Sequence, residues 1–215
     1  MIYALTADTS HIEEEDVHDA TLIDFKGAKD ATFFHPGVDY QRECGAPEVI
    51  EFVGNLEHAA RLDHLFTTPL DVLLISKRMV RVLESVRAFP HRLLPVTIYA
   101  EKIKHLVQDR TTGYRTWHQV QDATLRNDNF VILQLTESLD CLDRGRTLVE
   151  GVSFRQSGRD YLSAEEAEHL ELRPPPGDFP PVFFVPELLF YCFSEEAKRA
   201  CDQAGLKGLW WRPQR

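Results

Sequence analysis

Nucleophilic catalysis is the first chemistry to test in a chain of 215 residues with four cysteines, nine histidines and 34 carboxylates. A serine or thiol nucleophile needs an imidazole base and an acid to orient it, and no serine here sits in a GxSxG elbow. Cys44 and His35 share an irregular stretch, but no spacing ties them into a cysteine-hydrolase pair. His58 and His64 flank Asp63 at a separation of six, where four would place both imidazoles on one helix face. That spacing favours structural or exposed roles over a metal site. Asp140 and Asp143 could present two carboxylates at one turn, yet Arg144 and Arg146 beside them point to local ion pairing rather than general acid–base work. The phosphate-cradling patterns GxxxxGKS/T and GxGxxG are absent, and the basic residues are dispersed, which argues against nucleic-acid binding. Residue chemistry therefore predicts no catalytic centre, no metal ion and no cofactor.

The clearest positioning element is the stretch Pro186 to Pro213. Leu188 to Phe193 is a short apolar, aromatic-rich run that suits a strand buried on both faces. Ser194 can cap a helix, with Glu195 and Glu196 at the end where the helix dipole favours carboxylates. Ala197, Ala200, Cys201 and Ala204 form a narrow apolar stripe, Gly205 is the natural stop, and Leu206 to Trp211 resumes a strand ended by Pro213. The same grammar occurs earlier: Pro69 to Ile75 is a strand, Ser76 the cap, and Met79, Val82, Leu83 and Val86 the stripe of a helix ending near Phe89-Pro90. Lys77 and Arg78 break a local rule, because cations in a first turn oppose the dipole by about 0.3–1 kcal/mol each. Either both are solvated at a tolerated cost, which is the simpler account, or they form a basic contact point for a ligand or partner.

Elsewhere, strands are expected over Met1–Ala7, Thr21–Phe25 and Glu48–Val53, and Asn55 opens a helix. Residues 26–47 read as irregular but packed. Leu94–Ile103, Gly113–Gln121 and Asn129–Leu135 alternate well and are joined by short polar connections, which predicts an antiparallel meander. Val149–Phe154 adds a strand. Ser163-Ala164-Glu165-Glu166 is a capping box that predicts a short helix to about Leu172. The prolines of 174–181 make a stiff spacer. The expected fold class is α+β: a mixed, largely antiparallel sheet with a few packed helices and two strand–Ser–helix units, in one domain over 1–215. Within it, 1–60 forms an acidic N-terminal subregion and 61–215 the core.

Charge sharpens that division. The formal net charge is −10; residues 1–60 hold 13 Asp and Glu against 3 Lys and Arg, and residues 61–215 hold 21 of each. The whole excess sits in the first sixty residues, where it attracts cationic partners and repels nucleic acid and anionic lipid. No apolar run is long enough for a membrane helix, the first residues do not read as a secretion signal, and the cysteines show no CxxC pair. A reducing, cytoplasmic setting is expected.

Several of these features together resemble a known family. They are the strand ending in Ser76 before an amphipathic helix, the amphipathic strand near Pro95, VILQLTESLDCLDRGRT at 131–147, and LFYCFSEEAKRACDQAGLKGLWWRP at 189–213. The family is one of bacterial immunity proteins from polymorphic-toxin systems, formerly a domain of unknown function. The resemblance spans about residues 65–213 and is most specific in its Ser–helix–AG-L-x-G ending; Lys77-Arg78 and the 174–181 spacer depart from it. It implies a non-enzymatic cytoplasmic protein that binds a toxin encoded beside it, with Ser76, Ser194, Gly205 and Gly208 as fold determinants and no catalytic residues to carry over. A toxin that must hold nucleic acid or a phosphorylated cofactor has a basic active-site cleft, which an acidic segment complements. Glu13, Glu14, Glu15, Asp16 and Asp19 are the first candidates for that contact. Two other classes stand beside this one: a regulatory inhibitor or scaffold, for example of a protease, and a small hydrolase or transferase built around Cys44, Asp140 or His118.

Overall fold

A computed structural model describes residues 1–10, 18–23, 25, 36–68, 72–109, 113–143, 145–149, 154–156, 159–161, 167–169, 171–188 and 190–214. In chain order its elements are β1 (Ile2–Ala7), β2 (Ala20–Leu22), α1 (Tyr40–Cys44), β3 (Ile50–Gly54), α2 (Leu56–Arg61), β4 (Thr67–Thr68), β5 (Leu74–Ser76), α3 (Lys77–Val86), β6 (His91–Asp109) and β7 (Gly113–Asn127). They continue with β8 (Phe130–Leu135), β9 (Leu148–Val149), β10 (Phe154–Gln156), β11 (Arg159–Tyr161), β12 (Ala167–His169), β13 (Val182–Phe184), β14 (Tyr191–Ser194), α4 (Glu195–Gln203) and β15 (Leu209–Gln214). The fold class is α+β, with one antiparallel sheet in the order β13-β14-β1-β15 and one mixed sheet in the order β4-β2-β3-β6-β8-β5, β7 adding to β6. Two short hairpin-like pairs, β10 with β11 and β9 with β12, stand apart.

Alternation along the most apolar strands builds the core on both sides of each sheet. In β8, Val131, Leu133 and Leu135 enter one cluster with Met79, Leu83 and Phe193, while Phe130 and Ile132 enter another with Phe52, Ile98 and Leu74. In β14, Tyr191 and Phe193 face the first cluster and Cys192 faces a third, with Phe183, Val185 and Leu188. Runs that are apolar at every position are therefore strands covered on two faces, not helices. β1 lies between β14 and β15, with Ala4 opposite both Cys192 and Arg212. β3 pairs in parallel with β6. The first sixty residues thus share both sheets with the rest of the chain.

Both serines cap their helices. Ser76 Oγ accepts from the Met79 amide at 3.0 Å and Ser194 Oγ from the Ala197 amide at 3.2 Å. The two helices pack antiparallel, because Arg78 in the first turn of α3 donates to the Ala204 carbonyl at the end of α4, while Arg87 at the end of α3 reaches Glu196 in the first turn of α4 at 3.4 Å. This resolves half of the rule broken at Lys77-Arg78. The Arg78 cation opposes its own helix dipole but caps the negative end of the neighbour, and it also pairs with Asp63 at 3.3 Å. Lys77 remains exposed.

Asp63 ties these parts together. Its buried carboxylate accepts from Ser76 Oγ at 2.6 Å, from Arg78 Nη1 at 3.3 Å and from the Lys207 amide at 3.0 Å. Its own amide donates to the Lys207 carbonyl and its carbonyl accepts from the Ser76 amide, both at 2.8 Å. The Lys207-Gly208 turn lies so close that a Cβ at Gly208, where φ is +79°, would come within 2.5 Å of the His64 carbonyl. Only glycine meets both demands.

Four expectations are corrected. β7 and β8 do not form a meander: Ile98 pairs with Asn127 and Pro95 with Val131, so the two strands follow one another along the same edge of the 19-residue β6. The jog between them is held by Asp128, which accepts from Thr97 Oγ at 2.7 Å, and by the Asn129 amide donating to Asn127 Oδ1 at 2.8 Å. These anchors keep the chain running straight on instead of turning back. The capping box at 163–166 lies outside the described residues, and the described remainder of the helix expected to reach Leu172 is not helical: Ala167–His169 pairs with β9 and Leu172 bridges Leu142. Pro213 does not end the last strand but lies within β15, tolerated because β15 is an edge strand. Finally, the irregular stretch contains α1, capped by Asp39, which accepts from the Arg42 amide.

The two caps should differ in cost. Ser194→Ala removes one capping bond and is expected to destabilise by about 1 kcal/mol. Ser76→Ala also strips a hydroxyl donor from the buried Asp63 carboxylate, for a total of about 2–4 kcal/mol. Urea unfolding of both variants checks this; equal losses would show that the Ser76–Asp63 bond contributes little.

Candidate functional site

The acidic subregion is the feature that sequence singled out. Glu13, Glu14, Glu15 and Asp16 lie outside the described residues. Asp19 is described, and it is not a surface acid: it is 1% exposed, its Oδ1 accepts from His58 Nδ1 at 2.7 Å and its Oδ2 from the Phe66 amide at 2.9 Å. It therefore leaves the set of candidate contact residues and joins the packing of α2 against β2 and β4. Gly54 seals that corner, since a Cβ there would meet the Asp19 carbonyl at 2.3 Å. The exposed acids of the first sixty residues that the structure does place are Glu43, Glu48, Glu51 and Glu57. Glu51 accepts from the Tyr99 hydroxyl at 3.0 Å, and this hydrogen bond raises the Tyr99 pKa.

The groups weighed for chemistry are engaged structurally. His58 serves Asp19, while His64 is buried near Gly208 with no partner for Nδ1. Burial pushes the His64 imidazole down to about 4, against the Gly208 backbone bond and the Asp19 charge, which both raise it. Asp143 is 4% exposed. Desolvation would raise its carboxyl, but the Arg173 guanidinium at 2.8 Å, the Gly145 amide and Arg146 hold it below its ordinary value. Of the local ion pairing read from the sequence, Arg146 takes part at 3.9 Å and Arg144 lies outside the described residues; the closest partner, Arg173, is one that no nearby motif announced. Burial raises Cys141 to about 11 and Cys201 to about 12, and it also holds Cys192 well above its ordinary value. These thiols stay protonated at neutral pH. His35 lies outside the described residues, so the Cys44–His35 pairing has no geometry. Among the described residues no group of three or more His, Cys, Asp or Glu side chains could hold a metal ion.

Two surfaces with apolar groups are open to recognition. One is a mostly apolar cleft of about 420 Å³ between the two sheets, lined by Leu5, Thr6, Phe66, Tyr191 and Trp210. The other is the outer part of the β6–β7 ribbon. β3 ends opposite Ala100, and beyond it β6 pairs only with β7 among the described residues, leaving ladder edges open next to exposed Val120 and Leu125. No described helix is long and apolar enough to cross a membrane.

Neither a family model nor a curated protein matches the chain.

The His64 shift has a definite sign. Its folded pKa lies below the unfolded value of 6.5, so stability is complete above pH 6.5 and falls as pH drops from 6.5 towards 4, by about 3 kcal/mol in all. His64→Gln should flatten the stability profile in that window, whatever its effect at pH 7. The Asp143 contribution lies lower, present above pH 3.8 and lost as pH falls through its depressed folded value. Chemical denaturation from pH 8 to 4 measures the first effect; an unchanged slope in the variant contradicts it.

Proposed function

We propose that this chain is a cytoplasmic immunity protein that binds a cognate bacterial toxin and neutralises it by occluding its active site. The observation that carries this reading is the paired construction at residues 74–86 and 191–208. Two strand–Ser–helix units, the features on which the family resemblance rests, are packed antiparallel and locked through Asp63. A body braced in this way presents a fixed surface, which limits the ordering cost of binding a protein partner.

Charge supplies the direction of approach. An excess of ten negative charges confined to residues 1–60 favours encounter with a cationic cleft. With Asp19 buried, Glu13, Glu14, Glu15 and Asp16 are the residues proposed to make the contact.

The test is co-purification with the product of the adjacent gene, followed by rescue of cells that express it. Lysine substitution of Glu13, Glu14, Glu15 and Asp16 together is expected to slow association about tenfold or more at low salt and to reduce its salt dependence. An unchanged association rate with unchanged salt dependence removes the acidic contact. A harmless neighbouring product removes the toxin reading itself and leaves a regulatory inhibitor or scaffold.

A further inference from the structure

A cleft of about 450 Å³ opens where α2, the start of α3 and the β7–β8 junction meet. Arg61, Lys77, Arg78 and Arg81 line it together with Asn127 and Asn129. The single carboxylate among its described lining residues is Asp63, already occupied by Ser76, Arg78 and the Lys207 amide. A net positive cleft has thus formed on a chain whose net charge is −10.

The arrangement is mildly unfavourable as it stands. Lys77 and Arg81 are exposed, four apart on one helix face, where like charges repel, and neither side chain has an ion-pair or hydrogen-bond partner among the described residues. Arg61 adds a third cation across the cleft, held among the described residues by Glu57 at 4.0 Å and by its carbonyl at 3.3 Å. Arg78 alone is well compensated, and its anchors at Asp63 and Ala204 fix its position. The walls are also fixed to each other: the Lys77 amide donates to the Asn129 carbonyl at 2.8 Å, and Asn127 Nδ2 to the Ala59 carbonyl at 3.2 Å. Locally unfavourable charge held on a rigid frame is what an anion site looks like before its anion arrives.

We propose that this cleft binds a small ligand through a di- or triphosphate group. Several phosphoryl oxygens at once match three or four converging cations, and the volume suits a ligand of nucleotide size. Ala59, Ala60, Leu62 and Phe130 share the lining with the charged groups, and recognition falls on the phosphates because the cations are the groups with a charge to satisfy. This proposal goes beyond toxin binding and does not depend on it.

The experiment titrates the full chain at low ionic strength with pyrophosphate, ATP and adenosine, followed by calorimetry. Saturable binding of pyrophosphate and ATP is expected, with none of adenosine. The double variant Lys77→Gln/Arg81→Gln should bind pyrophosphate at least about tenfold more weakly. Arg199→Gln, an exposed cation on α4, should bind as the parent does. The melting temperature of the double variant without ligand should equal or exceed that of the parent, because a repulsion has been removed; the single variant Lys77→Gln gives a milder version of the same test. ATP binding about tenfold tighter than pyrophosphate assigns a nucleotide, and equal binding assigns an inorganic polyphosphate. Undiminished binding by the double variant, equal weakening by Arg199→Gln, or no saturable binding of either phosphate overturns the proposal.

Discussion

A carboxylate removed from water costs several kcal/mol unless donors replace the solvent it lost. Asp63 meets that demand with a hydroxyl, a guanidinium and a backbone amide, drawn from 13, 15 and 144 residues further along the chain. Each donor is itself a structural corner: Ser76 starts α3, Arg78 caps the end of α4, and Lys207 begins the turn into β15. Satisfying one charge therefore fixes the angle between two helices and the entry of the last strand. The Arg78 cation in the first turn of α3, unfavourable when that helix is considered alone, becomes half of an antiparallel pair in which each helix end faces the opposite end of its neighbour.

The sheets follow from the same economy of cover. β5 and β14 run directly into their helices, and the helices cover the cluster containing Met79, Leu83 and Phe193. The opposite faces of the strands are covered by separate clusters, one around Phe52 and Ile98 and one around Phe183 and Val185. β1 completes the smaller sheet from the far end of the sequence, so the acidic subregion is bound to the body at both of its described strands nearest the N-terminus.

Much of this was legible because the signals are local. Ser76, Ser194 and Asn55 each cap a helix through an amide two or three residues away, and Gly205 takes the left-handed conformation with φ of +62° that a helix stop uses. What escaped was set at long range. Nothing near Asp63 or Asp19 announces partners tens of residues distant, and a carboxylate in an acidic neighbourhood reads as solvated until His58 and the Phe66 amide are seen around it. The topology of β7 and β8 was hidden for a related reason: a two-residue polar link permits either a turn or a continuation, and Thr97 on another strand decides between them. The acidic segment itself was legible only as charge.

In the proposed mode of action a braced body that does not rearrange carries an acidic flank against a basic target. Amide hydrogen exchange, with and without the adjacent gene product, tests that combination most directly. The account predicts new protection in residues 11–17 while the amides of α3 and α4 exchange at the same rates in both states. Protection that misses residues 11–17, or altered exchange in α3 and α4 on binding, would contradict it.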